Sequence, residues 1–148
     1  MANNYTHFSF EFKINSPAEA EYLETVLQSA DSYDEGGTAK DIIDDVFEDY
    51  EEYGCLGFDY KIECGADGGE VWIHDDGGEG NVDYVVQFLQ AYMLKFKVRS
   101  PICFEFAFTC SSPRVGEFGG GAVIVFAHDS KWLNSATWIK EKLSELSW

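Results

Sequence analysis

Apolar and polar residues alternate along several stretches of this chain, a spacing that predicts strands with one buried face. The first stretch, His7–Ile14, places four apolar side chains on one side and four polar side chains on the other. Phe58–Cys64 and Glu70–His74 flank the glycine-rich segment Gly65–Gly69, a pattern typical of a hairpin. Ile102–Cys110 alternates again, with aromatic residues on its apolar side. These patterns predict four strands.

Other signals predict a fifth strand and the first helix. Gly121–Ala127 is apolar without interruption, which favours a strand in the middle of a sheet. Ser16, Pro17 and Glu19 form a capping pattern in which a serine precedes a proline and is followed three residues on by a glutamate. The apolar stripe behind this cap runs to Ala30, so a helix is expected there.

Two more helices are predicted in the middle of the chain. Thr38, with Asp41, is a possible cap for a helix that ends at about Tyr53. Asn81 caps the next helix, Val82–Phe96, which is apolar on most sides and is therefore predicted to be central.

A fourth helix is expected between Ser130 and Leu146, with an apolar stripe directed inward. The residues assigned to that stripe are Trp132, Ala136, Ile139, Leu143 and Leu146. The predicted fold is therefore α+β in the order β-α-α-β-β-α-β-β-α, a two-layer arrangement of a mainly antiparallel five-stranded sheet with helices on one face. With 148 residues and no linker, residues 1–148 are predicted to form one α+β domain.

The composition indicates a folded cytoplasmic protein. Aromatic residues make up 16 % of the chain, enough for a packed core despite the high net charge. No stretch has the roughly 20 consecutive apolar residues of a membrane helix, and the N-terminus lacks the pattern of a signal peptide. The four cysteines have no C-x-x-C spacing, so we expect them to be reduced core residues, with a disulfide pair as the alternative.

The net charge of −17 is concentrated in one third of the chain. Asp31–Asp83 contains 18 acidic residues and two lysines, whereas the other 95 residues contain nine acidic and eight basic residues. Nucleic acid and anionic membranes are polyanions, which excludes them as direct ligands of this segment. The expected partner is a basic protein surface.

A row of carboxylates on the second predicted helix is the first candidate site. Its members recur at helical spacing, about every 5.4 Å along the axis, a distance comparable with the phosphate spacing of a nucleic-acid strand. Like charges at i,i+4 repel each other, and almost no lysine is present to offset this repulsion. A surface that serves only solubility would normally mix both signs of charge, so the row favours a functional role. The predicted partner-binding residues, including an extension in the following loop, are Asp41, Asp44, Asp45, Glu48, Asp49, Glu52, Asp75, Asp76 and Glu79.

Other candidate chemistry is weaker. The acidic glycine-rich loop Asp75–Asn81 admits a calcium site, but it lacks the residue order of an EF-hand, so no metal and no cofactor is predicted. The loop Ser111–Gly121 ends in a glycine-rich run, Gly116–Gly121, which lacks the lysine and serine of a P-loop and is followed by a strand. Its Arg114, Glu117 and Phe118 are a secondary candidate contact surface. No pattern of nucleophile and base stands out, so no catalytic residue is predicted.

The segment Thr109–Val123 resembles a segment of small, acidic, uncharacterised proteins encoded by phages and plasmids. The resemblance extends weakly through Asp83–Phe96 and covers the C-terminal half. It implies expression in a bacterial host and assigns no activity. In size and acidity the chain is also similar to inhibitors of host defence, such as antirestriction and anti-CRISPR proteins.

The sequence therefore predicts a non-enzymatic binding protein of a phage or mobile element. It would inhibit a host defence or nucleic-acid-binding complex by occluding a basic surface, acting as a nucleic-acid mimic. Two alternatives remain open: an immunity protein against a cationic toxin, and a small-molecule-binding protein or enzyme that uses the Ser111–Gly121 loop. The oligomeric state does not follow from the sequence.

Overall fold

A computed structural model describes residues 3–33 and 40–146 of the chain. Its helices and strands, in chain order, are β1 (Asn4–His7), β2 (Ser9–Ile14), α1 (Pro17–Asp31), α2 (Lys40–Val46), α3 (Tyr50–Tyr53), β3 (Asp59–Gly65), β4 (Gly68–His74), α4 (Val82–Phe96), β5 (Ile102–Cys110), β6 (Gly119–Val125), β7 (Ser130–Asn134) and α5 (Ser135–Glu145). The α+β character is as predicted. The single five-stranded sheet and its order β-α-α-β-β-α-β-β-α are wrong, because the described residues form two sheets.

One sheet has four strands in the order β1-β5-β6-β7, and the other has three strands in the order β2-β4-β3. Every pair of neighbouring strands in both sheets is antiparallel. The predicted hairpin is confirmed, since β3 and β4 pair with Cys64 opposite Gly69. The apolar strand β6 lies between β5 and β7, as its composition predicts.

The two sheets arise because the first predicted strand is divided at Phe8. β1 pairs with β5, whereas β2 pairs with β4, so the chain passes from one sheet to the other at this residue. The Phe8 N–H donates to Asp75 Oδ1 over 2.9 Å, and its carbonyl accepts the Asp75 N–H over 2.9 Å. The apolar alternation continues through the bend, which is why the pattern of His7–Ile14 predicts a single strand.

The core lies between the sheets and the helices. Helix α4 has the bounds predicted for it, buries seven side chains and packs against α1, α2 and β6, so its predicted central position is confirmed. Phe10 of β2 stacks on Phe104 of β5 with ring centroids 4.4 Å apart, which joins the two sheets directly. The buried residues of both sheets and of α1 and α4 form one cluster.

The predicted cap of α1 is confirmed, and its Glu19 also bonds a second helix. Ser16 Oγ accepts the Glu19 N–H, and Glu19 Oε2 accepts the N–H of Asn15 over 2.8 Å. The buried Glu19 also accepts the Tyr92 hydroxyl over 2.6 Å, which ties α1 to α4. Burial, together with this carboxylate, raises the pKa of Tyr92 above its ordinary range.

The second predicted helix is two short helices rather than one. Its proposed cap, Thr38, lies outside the described residues. Helix α2 ends at Val46, and α3 begins only after Asp49, whose positive φ of 55° is incompatible with a continuous α-helix. The α-helical spacing of the acidic residues is therefore interrupted after Val46.

The C-terminal prediction also needs correction. The first five residues of the predicted helix, Ser130–Asn134, form β7, and Asn134 caps α5. Strand β7 pairs closely with β6 because Gly121 has no side chain, and a Cβ there would clash with the Leu133 carbonyl oxygen. The stripe predicted to face inward is instead exposed at every position: Trp132, Ala136, Ile139, Leu143 and Leu146.

Across the described ranges, no helix combines the length and the apolar character needed to cross a bilayer.

Candidate functional site

An acidic groove lies between the turn that joins α2 to α3 and the first half of α4. Its volume is about 610 Å³, and its carboxylates are those of Glu48, Asp49 and Asp83. The amide side chains of Gln87 and Gln90 line it further along α4. All three carboxylates are exposed, and no basic residue is present in the lining. The groove is therefore a polar surface of one charge sign.

Contacts with α4 hold the backbone of Glu48 in place. Its N–H donates to the Gln87 side-chain oxygen over 3.0 Å, and its carbonyl accepts the Tyr84 hydroxyl over 2.9 Å. Phe47 and Tyr50, on either side, are buried against the Tyr84 ring, with centroid distances of 5.0 and 5.7 Å. These contacts give the turn a fixed position and direct the Glu48 and Asp49 side chains outward.

The beginning of α4 is equally well anchored. Asn81 accepts the Tyr84 N–H on its side chain and donates its own N–H to the Gly57 carbonyl over 2.9 Å. Gly57 must be glycine, because its φ is +73° and a Cβ would lie 2.5 Å from the Asn81 Cβ. Asp83 follows in the first helical turn, where the helix dipole favours a carboxylate.

A second depression, the aromatic cleft, adjoins the acidic groove at Asn81 and Asp83. It has a volume of about 520 Å³. Its carboxylates are Glu79 and Asp83, and its aromatic walls are Phe106, Phe108 and Trp132 from the four-stranded sheet. The Phe106 and Trp132 rings meet edge to face at 6.2 Å. Carboxylates beside aromatic faces suit the cationic end of a lysine or arginine side chain.

The nine acidic residues predicted as a partner surface are only partly brought together. Glu48 and Asp49 line the acidic groove, and Glu79 lines the aromatic cleft. Asp41, Asp44, Asp45 and Glu52 are exposed on α2 and α3 but line neither depression. The regular 5.4 Å row predicted from the sequence does not form, because α2 ends at Val46 and α3 begins only after Asp49.

One lysine neutralises part of the acidic surface. Lys40 Nζ lies 2.6 Å from Asp44 Oδ2 and 3.9 Å from Glu51 Oε2. The hydrogen bond with Asp44 raises the pKa of Lys40. Two of the nine predicted residues contact a basic side chain: Asp44 forms an ion pair with Lys40, and Asp75 lies 3.3 Å from the His7 ring. Within the described part of the chain the other seven have no basic partner within ion-pair distance.

The Asp75 carboxylate is engaged in hydrogen bonds within the protein. Its Oδ2 accepts the Gly78 N–H over 2.8 Å and lies 3.3 Å from His7 Nδ1, while its Oδ1 accepts the Phe8 N–H. Burial opposes its ionised form, but these hydrogen bonds outweigh burial and lower the pKa of Asp75. With its side chain only 17 % exposed, Asp75 holds the sheet crossing in place, whereas the neighbouring Asp76 is exposed.

The secondary candidates lie in the loop between β5 and β6. Arg114 and Phe118 are exposed, and Glu117 is half-buried. The Arg114 N–H donates to the Ser112 carbonyl over 2.8 Å, and Gly116 has a positive φ of 82°. None of the three lines the acidic groove or the aromatic cleft.

The described residues provide little for metal or thiol chemistry. All four cysteines are free, but Cys55, Cys64 and Cys103 are exposed, so their prediction as core residues is wrong. Within residues 3–33 and 40–146 no group of three or more histidine, cysteine, aspartate or glutamate side chains is arranged to hold a metal ion.

Sequence reasoning missed Asp83, at which the two depressions meet, and the aromatic walls of the cleft. Asp83 has a local signal, since it directly follows the first residue of a capped helix, where an exposed carboxylate is expected. Phe108 and Trp132 have none, because they approach Asp83 only through the pairing of β5, β6 and β7.

Compared with models of protein families, with curated proteins and with solved structures, the chain has no significant match in any of the three.

Proposed function

We propose that this chain is a non-enzymatic binding protein that covers a basic, nucleic-acid-binding surface of another protein. One observation carries this proposal: Glu48, Asp49, Asp83 and Glu79 surround the beginning of α4, and no basic residue lines either depression there. Such a surface gives a strongly negative local potential, which attracts cations and speeds association with a basic partner.

The two depressions suit different parts of a basic surface. The acidic groove offers exposed carboxylates to several lysine or arginine side chains at once, each exposed pair contributing roughly 0–1 kcal/mol. The aromatic cleft offers a single anchoring position, where a guanidinium between Glu79 and Asp83 can also stack on Phe108 or Trp132. Together they support specific recognition rather than general attraction of cations.

The biological setting proposed here is a bacterial cell that carries a phage or plasmid. It rests on the resemblance of Thr109–Val123 to proteins of such elements and on the acidity of the chain. In that setting the natural target is a host defence complex that binds nucleic acid through a basic channel. The proposed mode of action is occlusion of that channel, without the regular carboxylate row of a nucleic-acid mimic.

The test compares two triple variants with the same change of charge. Glu48→Lys/Glu79→Lys/Asp83→Lys alters the proposed surface, whereas Glu11→Lys/Glu21→Lys/Glu24→Lys alters exposed acids on β2 and α1. A nona-arginine peptide serves as the probe, and calorimetry at 20 and 200 mM salt measures its affinity. We expect the first variant to lose about tenfold more affinity than the second, since the first removes specific pairs.

Equal losses in the two variants would show that only the net charge attracts the peptide, and the proposed surface would be rejected. Melting curves confirm that both variants are folded before affinities are compared. Pull-down of basic proteins from a bacterial lysate, with the same pair of variants, then tests the proposed class of target.

A further inference from the structure

Helix α5 presents an apolar stripe that nothing in the described residues covers. Ala136, Ile139 and Leu143 recur at i, i+3 and i+7, the spacing by which a helix buries one face. No residue of α5 is buried, and Ile139 and Leu143 are 53 % and 45 % exposed. An isolated helix of this length is marginal in water, so its stability has to come from packing.

Exposed apolar side chains also lie on the four-stranded sheet, whose strands β6 and β7 contact α5. Ile124 and Leu133 point away from the core, because their strand neighbours Val123 and Trp132 occupy the face directed to α4. Leu133 and Trp138, 51 % and 50 % exposed, border a groove of about 480 Å³ whose lining is apolar except for Glu105 and Ser135. The floor of that groove is the run of small residues 119–122. We call the whole surface the outer apolar face, formed by Ile124, Leu133, Trp138, Ile139, Leu143 and Leu146.

The outer apolar face has the extent of an interface. Its six side chains are between 40 % and 59 % exposed, which leaves on the order of 100 Å² accessible on each and roughly 600 Å² in all. That is at the upper end of the largest apolar patch on an ordinary monomer, about 300–600 Å². Burial of this face on two copies removes about 1,200 Å², the lower limit for a specific interface.

The distribution of charge identifies the occupant. Gly119–Leu146, which contains the whole outer apolar face, has three basic and three acidic residues, although the chain carries −17. Contact between two copies through the acidic segment would bring like charges together, whereas contact through this face keeps them apart. Helix α5 also carries both signs beside its stripe: Lys140 and Lys142, Glu141 and Glu145. A rim with both signs can pair with itself across a two-fold axis, whereas a rim of one sign cannot.

We propose that the outer apolar face is the interface of a two-fold symmetric homodimer. The four-stranded sheet separates this face from the acidic groove, since α4 packs on the opposite side of that sheet. Each dimer therefore presents two acidic grooves to separate basic surfaces. Salt has opposite effects on the two interactions: it screens repulsion between copies and strengthens the dimer, but it weakens binding to a basic partner.

The experiment measures molar mass by sedimentation and light scattering between 1 and 100 µM, at 20 and 300 mM salt. We expect the wild-type chain, 16.7 kDa as a monomer, to approach twice that mass at tens of micromolar, and more completely at the higher salt. Ile139→Asn/Leu143→Asn should stay mainly monomeric up to 100 µM, with a dissociation constant raised at least a hundredfold. Val115→Asn, a change at a fully exposed apolar residue outside the face, should dimerise like wild type.

A wild-type chain that stays monomeric at 100 µM in both salts would overturn the proposal, as would a dimer that persists in the double variant. If the wild type is monomeric and a host protein binds it through an apolar contact with Ile139 and Leu143, that protein covers the face. The homodimer is then rejected. These outcomes are separate from the peptide test of the acidic surface, because the double variant keeps every acidic residue.

Discussion

The acidic segment around α2, α3 and the beginning of α4 and the C-terminal segment of β7 and α5 differ in how completely they bury their apolar residues. In the acidic segment Ile43, Phe47 and Tyr50 are at most 2 % exposed, and the exposed residues of α2 are all aspartates. The C-terminal segment has three lysines and two glutamates, and its Ile139 and Leu143 are about half exposed.

This difference separates two kinds of interaction on one small protein. A surface of carboxylates acts at long range and loses strength as salt rises, whereas an apolar surface acts only on contact and is little affected by screening. The fold of the acidic segment is complete within one copy of the chain. The fold of α5 is not, because its apolar stripe has no cover among the described residues. Paired substitutions in the two segments test this contrast.

The largest expected effect on stability comes from replacing an isoleucine with alanine, once in each segment. Ile43→Ala opens a cavity in the core and should lower the free energy of unfolding by about 2–5 kcal/mol. Ile139→Ala should change it by no more than about 0.5 kcal/mol at 1 µM chain, where the monomer dominates. Urea denaturation measures both values. A similar loss in the two variants would mean that α5 is packed within a single copy.

The well-predicted parts of this fold are those whose signals are local. The cap formed by Ser16 and Glu19 defines the start of α1, and Asn81 with the apolar pattern behind it defines α4. The hairpin of β3 and β4 follows from alternation on both sides of a glycine-rich turn. In each case the residues that determine the element lie within it or directly before it.

The wrong predictions arise from tertiary contacts, which join residues far apart in the sequence. The chain changes sheet at Phe8 because Asp75, 67 residues away, bonds both its backbone groups. The acidic helix breaks because Tyr84 and Gln87 of α4 bond the backbone of Glu48. The sequence predicts an acidic surface, but the place where its members converge depends on these contacts. No local pattern contains them.

The two neighbouring aspartates Asp75 and Asp76 give the next largest contrast. Asp75→Asn weakens the charge-assisted hydrogen bonds that hold Phe8 and Gly78, and should cost about 1.5–3 kcal/mol of stability at pH 7. Asp76→Asn, at an exposed side chain, should change stability by no more than about 0.5 kcal/mol. Denaturation curves between pH 3 and pH 7 measure both.

The effect of Asp75 has a defined pH dependence. Its folded pKa is lowered, so folding favours the ionised carboxylate. The stabilisation is complete above its unfolded pKa, about 3.9, and is lost as the pH falls through the lower folded value. The gap between wild type and Asp75→Asn should therefore narrow below about pH 4. A gap that stays constant down to pH 3 would show that Asp75 does not act through its charge.

The smallest expected effect concerns repulsion within α2. Asp41 and Asp45 lie one turn apart, and Asp45→Lys converts their repulsion into attraction, with an expected gain of about 0.5 kcal/mol at 20 mM salt. The melting temperature should rise by about 1–2 °C, and the gain should shrink at 200 mM salt as screening increases. Glu11→Lys, the same charge change on β2, should gain less because it removes no i,i+4 pair.

Tyr22 provides an independent readout of the same substitution. Burial raises the pKa of Tyr22, and the charge of Asp45 raises it further. Asp45→Lys should therefore lower the pKa of Tyr22, whereas Glu105→Lys, on β5, should leave it unchanged. Absorbance titration of the tyrosines measures the shift.

The wild-type protein should melt at a higher temperature in 200 mM than in 20 mM salt, since a net charge of −16 lies within residues 31–83. A melting temperature that falls with salt would mean that the acidic side chains are already paired with basic groups. The acidic segment would then not carry the uncompensated charge that distinguishes it from the C-terminal segment.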